Sequence, residues 1–281
     1  MIPASFDYDV AESVDHAIEL LGAGGGDAKL LAGGHSLIPA MKLRIARPSK
    51  LVDLGRLSDL SYVKDGGTHI AIGALTRHAG IASDAPLAEH CPIVSYTAGQ
   101  IGDPQVRHRG TLGGTLSHGD PASDMPAVML ALGAELVARG KGGERVIPAA
   151  DFFTGVFETA LAPDEVLVEA RVPKLAASAG WAYIKVNRRA QDWATVGVAA
   201  LVHRDNGSIA GASIGLVNMG GTPLRARAAE DALAGGASVA EAAALVTKDA
   251  EPPSDHAGSS EYRAHLAQVI ARRALEQALA D

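Results

Sequence analysis

Two glycine-rich stretches carry the residue types that can grip an anion. The longer is Gly110-Thr111-Leu112-Gly113-Gly114-Thr115-Leu116-Ser117-His118-Gly119-Asp120-Pro121-Ala122-Ser123-Asp124. Its glycines let the backbone take turns barred to other residues and let a second molecule approach the main chain closely. Thr111, Thr115, Ser117 and Ser123 set short hydroxyls beside those amides. Consecutive peptide N–H groups held in such a turn form an anion nest, and phosphate or pyrophosphate is the usual occupant. The stretch reads as a nucleotide cradle, against the plainer reading of a tight turn between packed elements. The shorter stretch, Gly33-Gly34-His35-Ser36, follows Lys29-Leu30-Leu31-Ala32, a predicted short strand, and leads into Leu37-Ile38-Pro39. It has neither the Gly-x-Gly-x-x-Gly spacing of a Rossmann turn nor the Gly-Lys-Ser/Thr of a P-loop. Alone it says little.

Composition narrows the chemistry. The 281 residues include 25 Lys and Arg against 32 Asp and Glu, a formal charge of −7, which argues against a nucleic-acid partner. One cysteine, Cys91, excludes an internal disulfide and points to a reducing compartment. An iron–sulfur cluster needs about four cysteine ligands, so this chain cannot hold one unaided. Nor does it carry a HExxH or CxxC pattern for zinc. Met1 to Val10 lacks a basic start and carries Asp7 and Asp9, unlike a secretion signal, and no run approaches the roughly 20 apolar residues of a membrane span. The expectation is a cytoplasmic protein.

The elements that must position these loops are legible in part. Ser13 can cap a helix whose stripe is Val14, Ala17, Ile18 and Leu21, ending at Gly22. Leu51-Val52-Asp53-Leu54 and His69-Ile70-Ala71-Ile72 read as strands, and Thr76 as the cap of a short helix. Ile101 to Arg109 leads into the longer glycine stretch, and Arg107 and Arg109 there are either surface groups or phosphate and subunit contacts. Ser123 or Asp124 caps an apolar helix ended by Gly133, followed by a hairpin at Gly140 to Gly143 and a strand from Glu165 to Val172. Pro173 to Gly180 reads as a linker. Beyond it, Trp181 to Val186, Ala194 to His203 and Ser208 to Val217 are β-rich, the last two joined by the turn Asp205-Asn206-Gly207. Thr222-Pro223 starts a helix, Ser238 and Glu241 form a capping box, and a final helix from about Ser260 carries Leu266, Val269, Ile270 and Leu275 on one face. The polar stretch Lys248 to Ser259 reads as a mobile loop.

Two glycine loops change what either implies, because FAD carries a pyrophosphate long enough to be held from two sides. The segment Lys29 to Ser36, paired with Thr111 to Asp124, resembles the FAD-binding domain of the para-cresol methylhydroxylase and vanillyl-alcohol oxidase (PCMH/VAO) type. Within that group the chain resembles, nearly end to end, the flavoprotein medium subunit of molybdenum hydroxylases, the set that includes aerobic carbon monoxide dehydrogenase and xanthine dehydrogenase. His108 and Thr115 stand where relatives often carry Asn. The resemblance implies an α+β fold: a two-lobed FAD-binding domain (1–57 and 58–176), then a C-terminal antiparallel β-meander with helices (177–281), including Ser260-Glu261-Tyr262-Arg263 at the start of the last helix.

It also implies a site. Lys29, Leu30, Leu31, Ala32, Gly33, Gly34, His35, Ser36 and Leu37 would line the pyrophosphate and ribityl side of a noncovalent FAD. Gly110, Thr111, Gly113, Gly114, Thr115, Ser117, His118 and Asp124 would face them from the second lobe. Asp124 takes sugar hydroxyls, caps its helix, or does both; His35 and His118 are hydrogen-bond partners or solvated loop residues. Ile101, with Gly102 and Val106 beside it, would pack on a ring face, and Val166 and Leu167 would form apolar wall. Lys185 and Asp192 would be polar contacts near the ring, and Trp193 a stacking surface unless it is ordinary core. The implied partners are a small subunit with two iron–sulfur clusters and a large subunit with a molybdenum cofactor, in a heterotrimer that dimerises, together with an external acceptor such as a quinone, oxygen or NAD. The same subunit serving a xanthine or N-heterocycle dehydrogenase is an alternative, since the molybdenum chain sets the substrate. A stand-alone flavin oxidase and a non-redox nucleotide-binding module are readings of other classes.

Overall fold

The protein is described by a computed structural model covering residues 1–205 and 208–280. The first lobe is a three-stranded parallel sheet with Lys50–Asp53 in the middle, flanked by Asp7–Val10 and Ala28–Leu31. Its helix Val14–Ala23 forms as the sequence requires. The Ser13 hydroxyl accepts from His16 N–H, and the buried residues are Val14, Ala17, Ile18 and Leu21, although the helix runs past Gly22 to a Gly24 cap. Parallel strands leave their loops at one edge, and ligands of such sheets sit beyond the carboxyl ends. Gly33-Gly34-His35-Ser36 leaves from that edge, straight after Leu31, and enters the short helix Leu37–Lys42.

The second lobe is a five-stranded sheet in the order Val63–Asp65, His69–Gly73, Val166–Pro173, Glu135–Gly140 and Gly143–Pro148. All its pairings are antiparallel. Thr76 does not cap the next helix, His78–Ala82, whose N-cap is Arg77; the Thr76 hydroxyl bonds the backbone of Tyr62 instead. The segment before Asp124 is not an extended loop. Pro104–Arg109 and Leu112–His118 are helical, separated by a turn at Gly110-Thr111, and Asp103 and Thr111 cap them through their side chains. Asp124–Leu132 is buried along its whole length and stops at Gly133 in the left-handed conformation.

The last domain is an antiparallel sheet of Ala179–Val186, Val196–Asp205, Ser208–Val217 and Leu224–Arg225. The turn predicted at Asp205-Asn206-Gly207 falls on residues 206 and 207, outside the described residues. Thr222-Pro223 starts that edge strand and not a helix; the helix is Arg227–Ala234. The capping box at Ser238 and Glu241 is present. The final helix Ser260–Ala280 buries Arg263, Ala267, Ile270, Ala271, Ala274, Leu275 and Ala278, so its core face is mostly alanine, with Leu266 and Val269 at the margin. Alanine lets the helix lie close to the sheet, to the point that a Cβ on Gly180 would overlap the Ala278 carbonyl. The stretch Lys248 to Ser259 is pinned: Asp255 pairs with Gly258 and binds Arg263 at 2.6 Å. Among the described residues no helix is long and apolar enough to cross a membrane.

This sheet rests directly on the buried helix Asp124–Leu132, because a Cβ on Gly215 would overlap the Ala127 carbonyl. Gly215→Val must push sheet and helix apart, and the expected loss is about 1–3 kcal/mol in urea unfolding. An unchanged midpoint would show that the contact is slack.

Candidate functional site

The turn at Gly110-Thr111 is built on the segment Ala74 to His78. His78 N–H donates to the Gly110 carbonyl at 3.1 Å, Leu112 N–H to Thr76 at 3.0 Å and Gly113 N–H to Ala74 at 2.8 Å. A Cβ on Gly113 would lie 2.5 Å from that of Ala74, so this glycine serves helix-to-strand packing. Gly114 N–H donates to the Thr111 hydroxyl and Thr115 N–H to the Thr111 carbonyl. The longer stretch is therefore not a row of bare amides: most of its N–H groups are spent on the protein itself. Its glycines buy closeness, not a nest.

The nest belongs to the shorter stretch. Among the described residues, the amides of Gly33, Gly34, His35 and Ser36 find no acceptor. Gly34 has φ +75°, the left-handed conformation that turns neighbouring N–H groups toward one point. Gly33 packs so tightly on the Arg109-Gly110 peptide that a Cβ there would overlap the Arg109 carbonyl, and a Cβ on Gly114 would sit 3.8 Å from that of Ala32. The two loops thus meet backbone to backbone at Gly33 and at ordinary contact distance between Gly114 and Ala32. Four unspent amides at a strand's carboxyl end, walled by hydroxyls, fit the anionic middle of FAD.

Other expected residues fall around this seam. Lys29, His35 and Ser117 are exposed, while Leu30, Leu31, Ser36, Leu37 and Thr115 are half-buried. His118 stacks on Phe157 with centroids 4.9 Å apart, and burial holds its imidazole below the usual value. Ile101 is half-buried, and Gly102, with φ +49°, tucks against Val106. Arg107 is half-buried, and one nitrogen of its guanidinium donates to the carbonyls of Ile101 and Gly102 at 3.0 and 3.3 Å. Arg109 is exposed.

Behind the seam lies a buried ionic cluster. Asp124 Oδ2 accepts from Lys185 Nζ at 2.9 Å and Oδ1 from the Tyr183 hydroxyl at 2.5 Å, with the Asp124 and Lys185 side chains 6% and 5% exposed. Lys185 also donates to the Gln100 carbonyl at 3.2 Å, beside Ile101. Burial pushes the Asp124 carboxyl above its ordinary range, and Lys185 and Tyr183 oppose that. The carboxylate expected to take sugar hydroxyls or cap its helix is already engaged by both these side chains. Tyr183 was not singled out from the sequence, though its spacing of two from Lys185 puts both on one face of a strand.

The remaining expected residues lie further from the nest. Val166 and Leu167 form no open wall; they are 1% and 5% exposed, Val166 in the apolar cluster shared by the two lobes and Leu167 in the one shared by the second lobe and the last domain. Their backbone alone is left for a ligand. Trp193 is not core: it is 62% exposed, on the turn after Val186. Asp192 pairs with Arg189 at 3.1 Å, which holds its carboxyl below the usual range.

Comparison with known proteins decides the family. Residues 4–175 match the FAD binding domain in molybdopterin dehydrogenase, and residues 181–278 match the CO dehydrogenase flavoprotein C-terminal domain. The chain is 44% identical to the carbon monoxide dehydrogenase medium chain of Afipia carboxidovorans over 285 residues, covering 100% of this chain and 99% of that one. It is 40% identical to the 6-hydroxypseudooxynicotine dehydrogenase complex subunit alpha of Paenarthrobacter nicotinovorans, covering 99% and 96%. The solved carbon monoxide dehydrogenase of Hydrogenophaga pseudoflava superposes with a TM-score of 0.96 at 43% identity, covering 100% and 99%. The chain belongs to the FAD-binding medium subunits of the molybdenum hydroxylases. It is an FAD-dependent oxidoreductase subunit, and its α+β fold is that family's.

One residue of the plinth beneath Gly110 gives a measurable handle. His78 is 2% exposed, its Nδ1 has no partner among the described residues, and burial lowers its pKa to about 4. Unfolded, the imidazole titrates near 6.5. The unfolded chain therefore binds more protons between those values, so this contribution to stability is complete above about pH 6.5 and is lost as pH falls toward 4. The expected swing is about 3 kcal/mol. Denaturant unfolding at several pH values should show a shallower slope for His78→Phe than for the wild type; equal slopes would show that the ring is not held neutral.

Proposed function

We propose that this chain is the electron-transfer subunit of a cytoplasmic molybdenum hydroxylase of the carbon monoxide dehydrogenase kind. It receives electrons from iron–sulfur clusters on a small partner subunit, filled in turn from a molybdenum cofactor on a large one, and passes them to an external acceptor. The observation that carries this reading is the seam of Gly33 and Gly114, an amide nest closed by a second loop in a family whose cofactor is FAD. Bound FAD supplies a centre that takes electrons singly and gives them up in pairs. The chain's residues do the holding: the amides of 33–36 take the pyrophosphate, and Thr115 and Ser117 offer hydroxyls from the facing loop. Ile101 packs on the ring, Lys185 and Asp192 set the charge near it, and Trp193 covers it. The domain division is 1–57, 58–176 and 177–281.

The single cysteine supports clusters borne by another chain, since one thiol cannot ligate one. Burial raises the Cys91 thiol to about 11, which removes it from redox chemistry. The 40% identity to a subunit of 6-hydroxypseudooxynicotine dehydrogenase favours a second reading, the same subunit in an N-heterocycle dehydrogenase. Purification from the native cell distinguishes these: the proposal expects co-purifying chains that bring molybdenum and iron, and the substrate that bleaches the flavin of that complex names the reaction. A flavin bleached by substrate in this chain alone would make it a stand-alone oxidase.

The seam itself is testable. Gly33→Val drives a side chain into the Arg109 carbonyl, and Gly114→Val one toward Thr111 and Ala32. The double variant should keep its circular dichroism and lose its FAD absorbance. Full FAD content in a folded double variant would remove the two-loop cradle from the account.

A further inference from the structure

Arg77 lies where the two loops meet. Its guanidinium donates to the Arg109 carbonyl, the same oxygen that a Cβ on Gly33 would strike. The side chain is half-buried, and no carboxylate among the described residues stands within 4.0 Å of it. Asp53 acts on it only from further away, and that carboxylate is held by the Tyr8 hydroxyl and the Gly55 N–H. The charge that presses on Arg77 is the like charge of Arg109.

A partly desolvated cation bonded to a neutral carbonyl is expensive unless an anion joins it. Next to it, past Gly33, stand the unspent amides of Gly33, Gly34, His35 and Ser36. Among the described residues the cation has no anionic partner within 4.0 Å and the amides have no acceptor, and one anion would satisfy both. We propose that Arg77 is a diphosphate-binding residue of the cradle, neutralising the pyrophosphate of FAD held on the Gly33 to Ser36 amides while its bond to Arg109 fixes where the guanidinium points. This rests on the cradle reading above. It adds a cation from the second lobe to a nest contributed by the first, so the charge of the ligand ties the lobes together.

The competing role is that of a strut, in which Arg77 only supports the Arg109 carbonyl. Arg77→Gln keeps an N–H donor for that carbonyl and removes the charge; Arg77→Lys keeps the charge. The protein, in the assembly in which it is isolated, is stripped of flavin and titrated with FAD and with ADP over a range of salt. Arg77→Gln should weaken both ligands by roughly ten- to a hundredfold and flatten the salt dependence of ADP binding, with Arg77→Lys recovering part of each. The ligand-free melting temperature should not move. Wild-type affinity and salt slope in Arg77→Gln would sink the proposal and leave the cradle standing. A lower ligand-free melting temperature with an unchanged salt slope would make Arg77 a strut, and a wild-type protein that binds neither FAD nor ADP would overturn the cradle and this residue with it.

Discussion

The site depends on a single close approach: the backbone of Gly33 against the Arg109-Gly110 peptide. No residue with a Cβ can stand there, because the Arg109 carbonyl already occupies that volume. The approach is supported from below. His78 N–H and the Arg77 guanidinium bind the carbonyls on either side of the Arg109-Gly110 bond, and the His78 ring fills the space under Gly110. A packed interior does not deform continuously, so this contact sets the distance between the lobes together with the apolar cluster they share, in which Val14, Ile18 and Val52 pack with Val137, Val166 and Val168. A ligand held across the seam meets a gap already fixed, and fixing it beforehand saves the ordering cost that binding would otherwise carry.

The second lobe is joined to the last domain by a different physics. Asp124, Tyr183 and Lys185 bring a carboxylate and an ammonium into a dry interface, where separating either from water is costly and only the pairing offsets it. Such a cluster adds little net stability over apolar packing, but a misaligned version is much worse than an aligned one. It therefore favours one register between the buried helix Asp124–Leu132 and the strand Ala179–Val186. Lys185 reaches on to Gln100, so the same register locates Ile101. Asn218 N–H bonds the Pro121 carbonyl at 2.8 Å and its side chain holds Ala194, which fastens the same end of the strands to the second lobe.

What the sequence disclosed follows from which properties are local. The stripe Val14, Ala17, Ile18 and Leu21, the αL stop at Gly133 and the capping box at Ser238 depend on neighbours within a turn or two, and each is as expected. The two glycine loops were visible as loops. Which of them keeps free amides was not, because that depends on whether a distant strand end, Ala74 to Thr76, consumes the N–H groups of Leu112 and Gly113. The same holds for Arg107, taken up by carbonyls five and six residues back, and for Val166 and Leu167, whose apolar type fits an open wall as well as two cores. Thr222-Pro223 misled for another reason: Pro suits the first turn of a helix and also an edge strand, and the edge position was set by pairing with Ser208–Val217. Arg77 and His78 carried no motif at all, since their roles arise from what lies above them.

An acidic chain is, by net charge alone, a poor host for a diphosphate. Net charge acts at long range, and at physiological salt it is screened over about 8 Å. At the seam two cations, Arg77 and Arg109, stand beside the glycine contact, and the carboxylate acting on Arg77 is the already engaged Asp53. Other Asp and Glu are engaged elsewhere by cations, as Glu165 is by Arg145 and Asp65 by Lys174. Local field and overall charge therefore serve different ends, the first drawing an anion to the amides and the second keeping the protein dispersed. A −7 chain excludes a polyanion that would have to lie along its whole surface. It does not exclude two phosphates that touch only one seam.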